Sequence, residues 1–242
     1  MEVRVNGASF AVIMRTPGAD RDLAAGFLLA EDVIRSADEI GTIEYCQDVE
    51  DEGRDNTINV TVTGDAVERL GARLGERRQV MMTASCGLCG RRTIESLQAR
   101  VAAVRGEWQV GGDVIAALPD QLRSAQAVFA STGGLHAAGL FDLSGKLQLS
   151  AEDVGRHNAV DKIVGRTLLE GRHPLDRLIL LVSGRTSFEL VQKSLLAGIP
   201  LIAAVSAPSS LAIDLAEQAG ITLCGFVRGP RFNIYSHAHR IA

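Results

Sequence analysis

The sequence contains few aromatic residues and no excess of positive charge. Phe, Trp and Tyr make up 4% of its 242 residues, and 29 acidic residues outnumber 25 basic ones for a formal net charge of -4. Duplex binding depends on clustered cations that meet phosphates, and single-strand binding depends on aromatic rings on which bases stack. The composition therefore argues against a nucleic-acid partner.

Long apolar runs are also missing. No segment approaches the ~18 consecutive apolar residues that indicate a membrane span, and the amino-terminal MEVRVNG lacks the cationic start and apolar stretch of a secretory leader. We therefore expect a cytoplasmic protein without membrane association. Cysteine is scarce, with four residues in the chain. Because cytosolic cysteines stay reduced, a close pair indicates metal, redox or sulfur chemistry rather than a structural disulfide.

The chain divides into two parts by pattern, with a predicted domain boundary between residues 110 and 111. Residues 1–110 combine short strands and helices in irregular order, which predicts a small α+β domain that ends in a cysteine loop and the helix after it. Residues 111–242 alternate regularly between three predicted strands and two predicted helices, at 178–182, 188–196, 201–205, 211–219 and 222–226. Such a β-α-β-α-β series predicts parallel strands joined by right-handed crossovers, and hence an α/β domain.

Shorter patterns predict further elements. Apolar residues at helical spacing predict helices at 65–74, 91–104 and 120–130, and an apolar run predicts a strand at 79–83. Gly198 and Gly220 follow predicted helices at the position where a left-handed cap is needed.

Polar and basic side chains follow each of the three predicted parallel strands. Ser183 and Arg185 come after the first strand, SAPSS (206–210) after the second, and Arg228 and Arg231 after the third. Ligands of open parallel sheets bind beyond the carboxyl ends of the strands, helix starts favour anions, and the guanidinium fork matches phosphate oxygens. The pattern thus predicts a site for a phosphorylated small molecule. The alternative is that the hydroxyls are ordinary helix caps and the arginines are solvated.

Cys86 and Cys89 form a CxxC pair within the segment CGLCG, whose glycines make the backbone permissive. Arg91 and Arg92 follow at the start of a predicted helix. Nearby cations and a helix terminus both favour the thiolate over the thiol. The pattern therefore indicates a nucleophilic cysteine.

Four interpretations of this pair stay open at this point. A structural zinc site needs further ligands, and Cys46, Cys224, His136 and His157 lack the required spacing. A thioredoxin-like dithiol would lie directly after the first strand of a βαβ unit, which this pair does not. A sulfur carrier would use one thiolate to accept sulfane sulfur as a persulfide. The fourth is a pair of loop cysteines without chemistry, and Cys46 and Cys224 are expected to be core residues because they fall in apolar strand patterns.

Six short motifs occur in a fixed order along the chain. They are RTPG (15–18), CGLCG (86–90), STGGLHAA (131–138), EDVGRHNAVDK (152–162), SGR (183–185) and SAP (206–208). In this order they resemble the formate dehydrogenase accessory sulfurtransferase family (FdhD-type), and the resemblance covers nearly the whole chain. The block at 152–162 is the most specific of the six.

The resemblance implies a sulfurtransferase that acts as a persulfide relay. Members of this family receive sulfur from a cysteine desulfurase and pass it to the molybdenum centre of formate dehydrogenase, so both enzymes are expected partners. Cys86 would bear the persulfide, and Cys89 is its neighbour in the motif. The implied cargo is the molybdenum bis(molybdopterin guanine dinucleotide) cofactor, which GDP-like nucleotides mimic. Its binding stretch falls on Phe226, Val227, Arg228, Gly229, Pro230 and Arg231, with Ser183 and Arg185 as second candidates.

The resemblance also implies a fold, namely a cytidine-deaminase-like three-layer α/β domain with a smaller α+β domain, usually assembled as a homodimer. Zinc deaminases hold their metal with His-x-Glu and Pro-Cys-x-x-Cys. Here Ala137 and Ala138 follow His136, and no proline precedes Cys86. We therefore expect neither zinc nor deaminase activity.

Two alternative functions stay open beside the sulfur carrier. One is a chaperone that binds the molybdenum cofactor without sulfur transfer, and the other is a CxxC dithiol oxidoreductase. His136 lies beside two glycines at 133–134, where the backbone can approach a ligand. Arg156 or His157 is expected either to line the cofactor pocket or the dimer interface, or to belong to a buried polar network that fixes a helix to the sheet.

Overall fold

The computed structural model of the chain describes residues 1–46, 55–80, 103–104 and 108–242, and of 76–80 the backbone only. Cys86 and Cys89 lie outside the described residues, as does nearly all of the predicted helix at 91–104. The described part is a mixed α/β fold with two sheets. In this part no helix is long and apolar enough to cross a membrane.

The smaller sheet has four strands in the order β2-β1-β4-β3. Strand β1 pairs in parallel with β4, whereas the β1–β2 and β3–β4 pairs are antiparallel. A turn at Asn6 and Gly7, both with positive φ, joins β1 to β2 as the tight hairpin that the sequence predicts. The elements of this region are β1 (Glu2–Val5), β2 (Ala8–Val12), α1 (Asp20–Ala30), β3 (Ile40–Tyr45), β4 (Thr57–Val62) and α2 (Asp65–Val80).

The larger sheet has six strands in the order β10-β9-β8-β7-β5-β6. Strands β7, β8 and β9 are parallel, which confirms the prediction from the alternating pattern, and the remaining pairs are antiparallel. Its strands are β5 (His136–Asp142), β6 (Leu147–Asp153), β7 (Leu178–Val182), β8 (Leu201–Ala204), β9 (Thr222–Arg228) and β10 (Arg231–Ser236). The accompanying helices are α3 (Gly112–Ser124), α4 (Ala127–Thr132), α5 (Arg156–Leu169), α6 (Phe188–Leu196) and α7 (Ser210–Ala219).

Helices cover both faces of the larger sheet. Because side chains of a strand alternate between its faces, Ile179 and Leu181 of β7 pack in one apolar cluster with α3. Leu180 and Val182 pack in the other cluster, with α5, α6 and α7. The predicted three layers of helix, sheet and helix are therefore present, while the cytidine-deaminase-like label stays a prediction.

Helix α1 of the first part packs directly against α5 of the second. Gly26 and Gly165 allow this close approach, because a Cβ on Gly26 would overlap the backbone carbonyl of Asp161 and a Cβ on Gly165 would overlap that of Asp22. One apolar cluster runs without interruption from the smaller sheet through α1 and α5 to the larger sheet. The boundary between residues 110 and 111 stays a prediction, and the two parts share this core.

We expect Gly165→Ala to lower the free energy of unfolding by about 3 kcal/mol, the upper end of the cost of overpacking, because the clash is with backbone that no side-chain rotation relieves. Gly71→Ala is the matched control, since Gly71 lies in α2 with no atom within 4 Å of an added Cβ. That control should gain about 0.5–1 kcal/mol from helix propensity. Urea unfolding of both variants tests the pair, and an unchanged midpoint for Gly165→Ala would show that the two helices can separate at little cost.

Three local predictions are wrong in their details. Helix α2 continues to Val80, so residues 79 and 80 of the predicted strand are helical, and 81–83 lie outside the described residues. Strong helix formers such as Glu76, Arg77 and Gln79 extend the helix past its apolar stripe. The segment predicted as one helix at 120–130 belongs to two helices. Helix α3 begins earlier, at Gly112, and the helical conformation is interrupted at Gln126 before α4 begins. The third parallel strand continues to Arg228 and turns back as β10 instead of ending in an open loop.

Candidate functional site

The segments that follow β7 and β8 lie beside each other and beside the last residues of β9. The backbone N–H of Thr186 donates to the carbonyl of Ala207 at 3.2 Å, and the N–H of Ser209 donates to the carbonyl of Thr186 at 2.9 Å. The N–H of Phe226 donates to the carbonyl of Ser206 at 3.2 Å. Hydroxyls and arginines that are far apart in the sequence therefore meet at one edge of the sheet.

Ser183 ends β7 with its side chain turned to the neighbouring strand. Its Oγ accepts a hydrogen bond from the N–H of Ala137 at 2.9 Å, and its hydroxyl hydrogen remains available as a donor. Arg185, two residues further on, is exposed. Both residues, the second candidates for cargo binding, thus lie at the edge where the three segments meet.

The hairpin of β9 and β10 holds the stretch from Phe226 to Arg231. Phe226 has φ 54, in the left-handed region, and its side chain is 40% exposed. The pairing of β10 with β9 is irregular here, with one extra residue on β9, which is a β-bulge. A large aromatic residue held at positive φ is unusual and is a mark of functional sites.

Two arginines project from this hairpin. The Nε of Arg228 donates to the carbonyl of Val205 at 3.1 Å, which ties the side chain to the end of β8 and leaves its terminal nitrogens for a ligand. Arg231 is exposed, and Gly229 with φ 57 forms the tight turn beside Pro230. Val227 is fully buried in the core, so its side chain cannot face a ligand.

The hypothesis that the serines here are ordinary helix caps holds for one of two helices. Ser209 caps α7, since its Oγ accepts from the N–H of Ala212 at 3.2 Å. Ser187 precedes α6 without capping it, and its Oγ lies 3.0 Å from the Nε2 of His157 instead. The hydroxyl before α6 therefore belongs to a side-chain cluster.

A cleft of about 510 Å³ opens beside this edge, on the face of the sheet that α3 covers. His136, Ser183 and Val205 form its floor at the strand ends. The wall comes from the end of α3 and from α4, a contribution that the sequence does not reveal because its pattern predicts a single helix here. The wall residues include Arg123, whose guanidinium lies 4.0 Å from the ring centre of Phe129.

Two histidines near the edge have pKa values below the ordinary value of a histidine. Burial, together with the charge of Arg156, lowers the pKa of His136. Burial, followed by the charges of Arg156 and Lys193, lowers the pKa of His157 to about 4. Burial is the main cause of both shifts, and the positive charge of Arg156 acts on both rings in the same direction.

Most polar side chains of the block at 152–162 form a polar network, which was one of the two alternatives for this block. The carboxylate of Glu152 accepts from the N–H groups of Val128 and Phe129 at 2.9 and 2.7 Å, which fixes the start of α4. Lys162 pairs with Asp153 at 2.7 Å, with 4% and 0% of the side chains exposed. The same Lys162 donates to the carbonyl of Thr16 at 2.9 Å, so the block also binds the RTPG segment.

Comparison with known proteins agrees with the order of the motifs. The model of the FdhD/NarQ family matches residues 1–242. The chain belongs to the FdhD/NarQ family. Relatives from Nocardia farcinica and Streptomyces avermitilis, both named "Sulfur carrier protein FdhD", are each 49% identical. Each alignment covers 100% of this chain and 85% or 86% of the relative.

The fold of this FdhD/NarQ member is also found in a solved structure. A crystal structure described as a candidate formate dehydrogenase accessory protein from Desulfotalea psychrophila superposes with a TM-score of 0.75 at 26% identity. The match covers 100% of this chain and 87% of that one. The arrangement of two sheets is therefore shared with that protein.

The remaining cysteines of this FdhD/NarQ chain are not placed for chemistry at the sheet edge. Cys224 is a core residue, as predicted, and burial raises the pKa of its thiol to about 12. Cys46 is half-buried, so its predicted place in the core is only partly met. Within the described ranges, no three His, Cys, Asp or Glu side chains are grouped as metal ligands.

Proposed function

We propose that this protein is a sulfur carrier for formate dehydrogenase. The observation that carries the proposal is 49% identity, over the whole chain, to relatives named sulfur carrier protein FdhD. The structure described as a formate dehydrogenase accessory protein supports the same client. The CxxC pair of Cys86 and Cys89 supplies the thiol that such a role requires.

Sulfur transfer proceeds by two exchanges at sulfur. The thiolate of Cys86 attacks the outer sulfur of a persulfide on a cysteine desulfurase, the donor S–S bond breaks, and the donor cysteine leaves as a thiolate. In the delivery step the S–S bond of the Cys86 persulfide breaks, Cys86 leaves as a thiolate, and the metal centre supplies the two electrons that reduce the sulfane sulfur to a sulfido ligand.

The cargo in this proposal is the molybdenum bis(molybdopterin guanine dinucleotide) cofactor, held at the ends of the parallel strands. Arg185, Arg228 and Arg231 are exposed at this edge and match phosphate oxygens. The bulge at Phe226 exposes an aromatic ring beside them. The homodimer, the cytoplasmic location and the cytidine-deaminase-like fold belong to the same proposal.

Radioactive labelling tests the carrier function directly. The purified chain is incubated with a cysteine desulfurase and cysteine that carries labelled sulfur, and the label is followed on a non-reducing gel. We expect label on the chain that a thiol reductant removes, because a persulfide is reducible. If the chain stays unlabelled while the desulfurase carries label, the sulfur-carrier proposal is wrong. The alternative of a chaperone that binds the cofactor without sulfur transfer would then be favoured.

We expect Arg228→Gln to weaken GDP binding about 10- to 100-fold, because hydrogen bonds to a charged partner are worth roughly 1.5–3 kcal/mol. Isothermal titration calorimetry with GDP measures the change. Arg177→Gln is the matched control, since Arg177 is exposed directly before β7, at the opposite edge of the sheet. Equal affinity for GDP in Arg228→Gln and Arg177→Gln would show that the β9–β10 hairpin does not take part in cargo binding.

A further inference from the structure

Arg156 differs from every other polar side chain in the block at 152–162. The others each have a hydrogen-bond or ion-pair partner, whereas the buried Nε of Arg156 has no hydrogen-bond partner among the described residues. The partnered side chains are Glu152 with α4, Asp153 with Lys162, His157 with Ser187, Asn158 with the carbonyl of Met14, and Asp161 with Lys193. The network therefore explains the whole block except its arginine.

The position of Arg156 in its helix is electrostatically unfavourable. Arg156 is the first residue of α5, where the helix dipole presents its positive end. The helix has no acidic residue in its first turn, and Gly155 before it provides no side-chain cap. A cation at this end of a helix costs free energy, which an anionic ligand would recover.

The guanidinium is partly withdrawn from water as well. Its Nε is buried and has no hydrogen-bond partner among the described residues. A buried donor without a partner is costly, and native structures rarely keep one without a ligand, an ion or a water. Nε of Arg156 thus lacks a hydrogen-bond partner within the part of the chain that the structure describes.

Arg156 packs beside His136 at the end of β7, and His136 also lines the cleft. Gly184 lies beneath the side chain, and a Cβ there would come within 3.5 Å of Cδ of Arg156 and 3.3 Å of Nδ1 of His136. Thr186, the next residue but one, has a buried Oγ1 without a partner among the described residues. The segment directly after β7 therefore packs against one buried, unpartnered atom, Nε of Arg156, and contains another, Oγ1 of Thr186.

Three of the four nearby carboxylates are engaged by other groups. Asp153 is paired with Lys162, Asp161 with Lys193, and Glu152 with the backbone of α4. Glu189 lies in the first turn of α6. Burial raises its pKa, but the hydroxyl of Ser187, its own backbone and the charges of His157 and Arg156 together hold that pKa below the usual range. Glu189 therefore interacts with Arg156 through its charge and not through a hydrogen bond. A direct hydrogen-bond partner for the buried Nε of Arg156 is therefore expected to come from outside the described part of the chain.

We propose that Arg156 binds a phosphate-type oxyanion in a subsite at the end of β7, separate from the β9–β10 hairpin. His136, Ser183 and the backbone around Gly184 complete this subsite. The subsite extends the proposed function. It rests on that function in one respect only, namely that the bound anion is the diphosphate of the dinucleotide cargo. The binding of a free phosphate compound needs no sulfur transfer.

Titration calorimetry with inorganic pyrophosphate tests the subsite. We expect Arg156→Met to weaken pyrophosphate binding about 10- to 100-fold, since charge-assisted hydrogen bonds are lost. Arg156→Lys keeps the charge but not the bidentate fork and should retain an intermediate affinity. Arg166→Met, on the same helix but exposed and paired with Glu170, should bind as the original chain does.

Thermal unfolding without ligand separates binding from a structural role. Methionine keeps an apolar stem and removes the unpaired cation, so Arg156→Met should unfold at the same or a higher temperature. Pyrophosphate should raise the midpoint of the original chain and not that of the variant. A lowered midpoint together with unchanged pyrophosphate affinity would overturn the proposal and make Arg156 a packing residue.

Two further ligands identify the source of the anion and keep the two proposals distinguishable. Either Arg156→Met or Arg228→Gln should lower the affinity of the protein for GDP. Arg156→Met should leave the affinity for guanosine, which has no phosphate, unchanged. If pyrophosphate binds through Arg156 but GDP binds no better, the subsite takes free phosphate and the cargo assignment fails. If GDP binding depends on Arg228 and not on Arg156, the subsite fails and the cargo assignment stands.

Discussion

Cys86→Ala is expected to abolish the loading of sulfur onto this protein and, with it, the activation of formate dehydrogenase. The methyl group of alanine cannot attack a persulfide, and in this proposal no other residue of the chain accepts the sulfur. Mass spectrometry of the intact chain after incubation with a cysteine desulfurase and cysteine measures the effect. The original chain should gain the mass of one sulfur atom, and the variant should gain none.

Cys89→Ala decides between the sulfur carrier and a dithiol oxidoreductase. An oxidoreductase needs both thiols, because the second resolves the mixed disulfide that the first forms. A carrier whose persulfide sits on Cys86 should still load sulfur after Cys89→Ala. Loss of loading in both variants to the same extent would favour the oxidoreductase.

Cys46→Ala serves as the control for both cysteine variants. Cys46 is half-buried at the end of β3, outside the CxxC pair, and its loss should leave loading unchanged. Cys224 is a poor alternative acceptor, because burial raises the pKa of its thiol to about 12 and keeps it protonated. Sulfur found on Cys86→Ala would contradict the assignment of the persulfide.

Lys162→Met is expected to lower the free energy of unfolding by about 3–5 kcal/mol, the usual cost of leaving one member of a buried ion pair alone. Asp153, its partner at 2.7 Å, is fully buried, so its charge would lose its counter-ion. The same substitution removes the hydrogen bond to Thr16, which ties the RTPG segment to α5. Guanidinium or urea unfolding, followed by circular dichroism, measures the loss.

Lys146→Met is the control for this loss. Lys146 is exposed in the turn between β5 and β6, so the substitution should change stability by less than about 0.5 kcal/mol. A loss under about 1 kcal/mol for Lys162→Met would contradict the expectation. It would mean that the hydrogen bonds to Asp153 from Thr16, Gly155 and Asn158 suffice to hold the carboxylate.

The periodicity of the second part is enough to predict its parallel strands. Alternating strands and helices, with glycines at 198 and 220 closing the helices, are local signals, and both glycines do have positive φ. The meeting of Ser183, Arg185 and Arg228 at one edge follows from that topology, because parallel strands end on the same side. The order of strands and helices along the chain therefore suffices to locate polar chemistry at this edge.

The cleft beside the edge cannot be predicted in the same way. Its wall depends on α4, a helix of six residues whose start is held by the carboxylate of Glu152. Glu152 lies 24 and 23 residues after the two backbone N–H groups that it binds, and no periodic pattern in the sequence predicts a contact at that separation. The pattern predicts one helix here because Gln126, which separates α3 from α4, has no breaker signal of its own.

The sequence by itself determined the parallel sheet, the edge at which its polar residues gather and the CxxC pair, because each is written in short-range spacing. Only the tertiary structure decided which polar residues satisfy one another. Lys162 binds the carbonyl of Thr16, which lies 146 positions earlier in the sequence. Contacts between such distant positions decide which of the seven polar side chains in the block at 152–162 find a partner. Arg156 could be told from its neighbours only there, since the cost of a charge depends on what surrounds it in space.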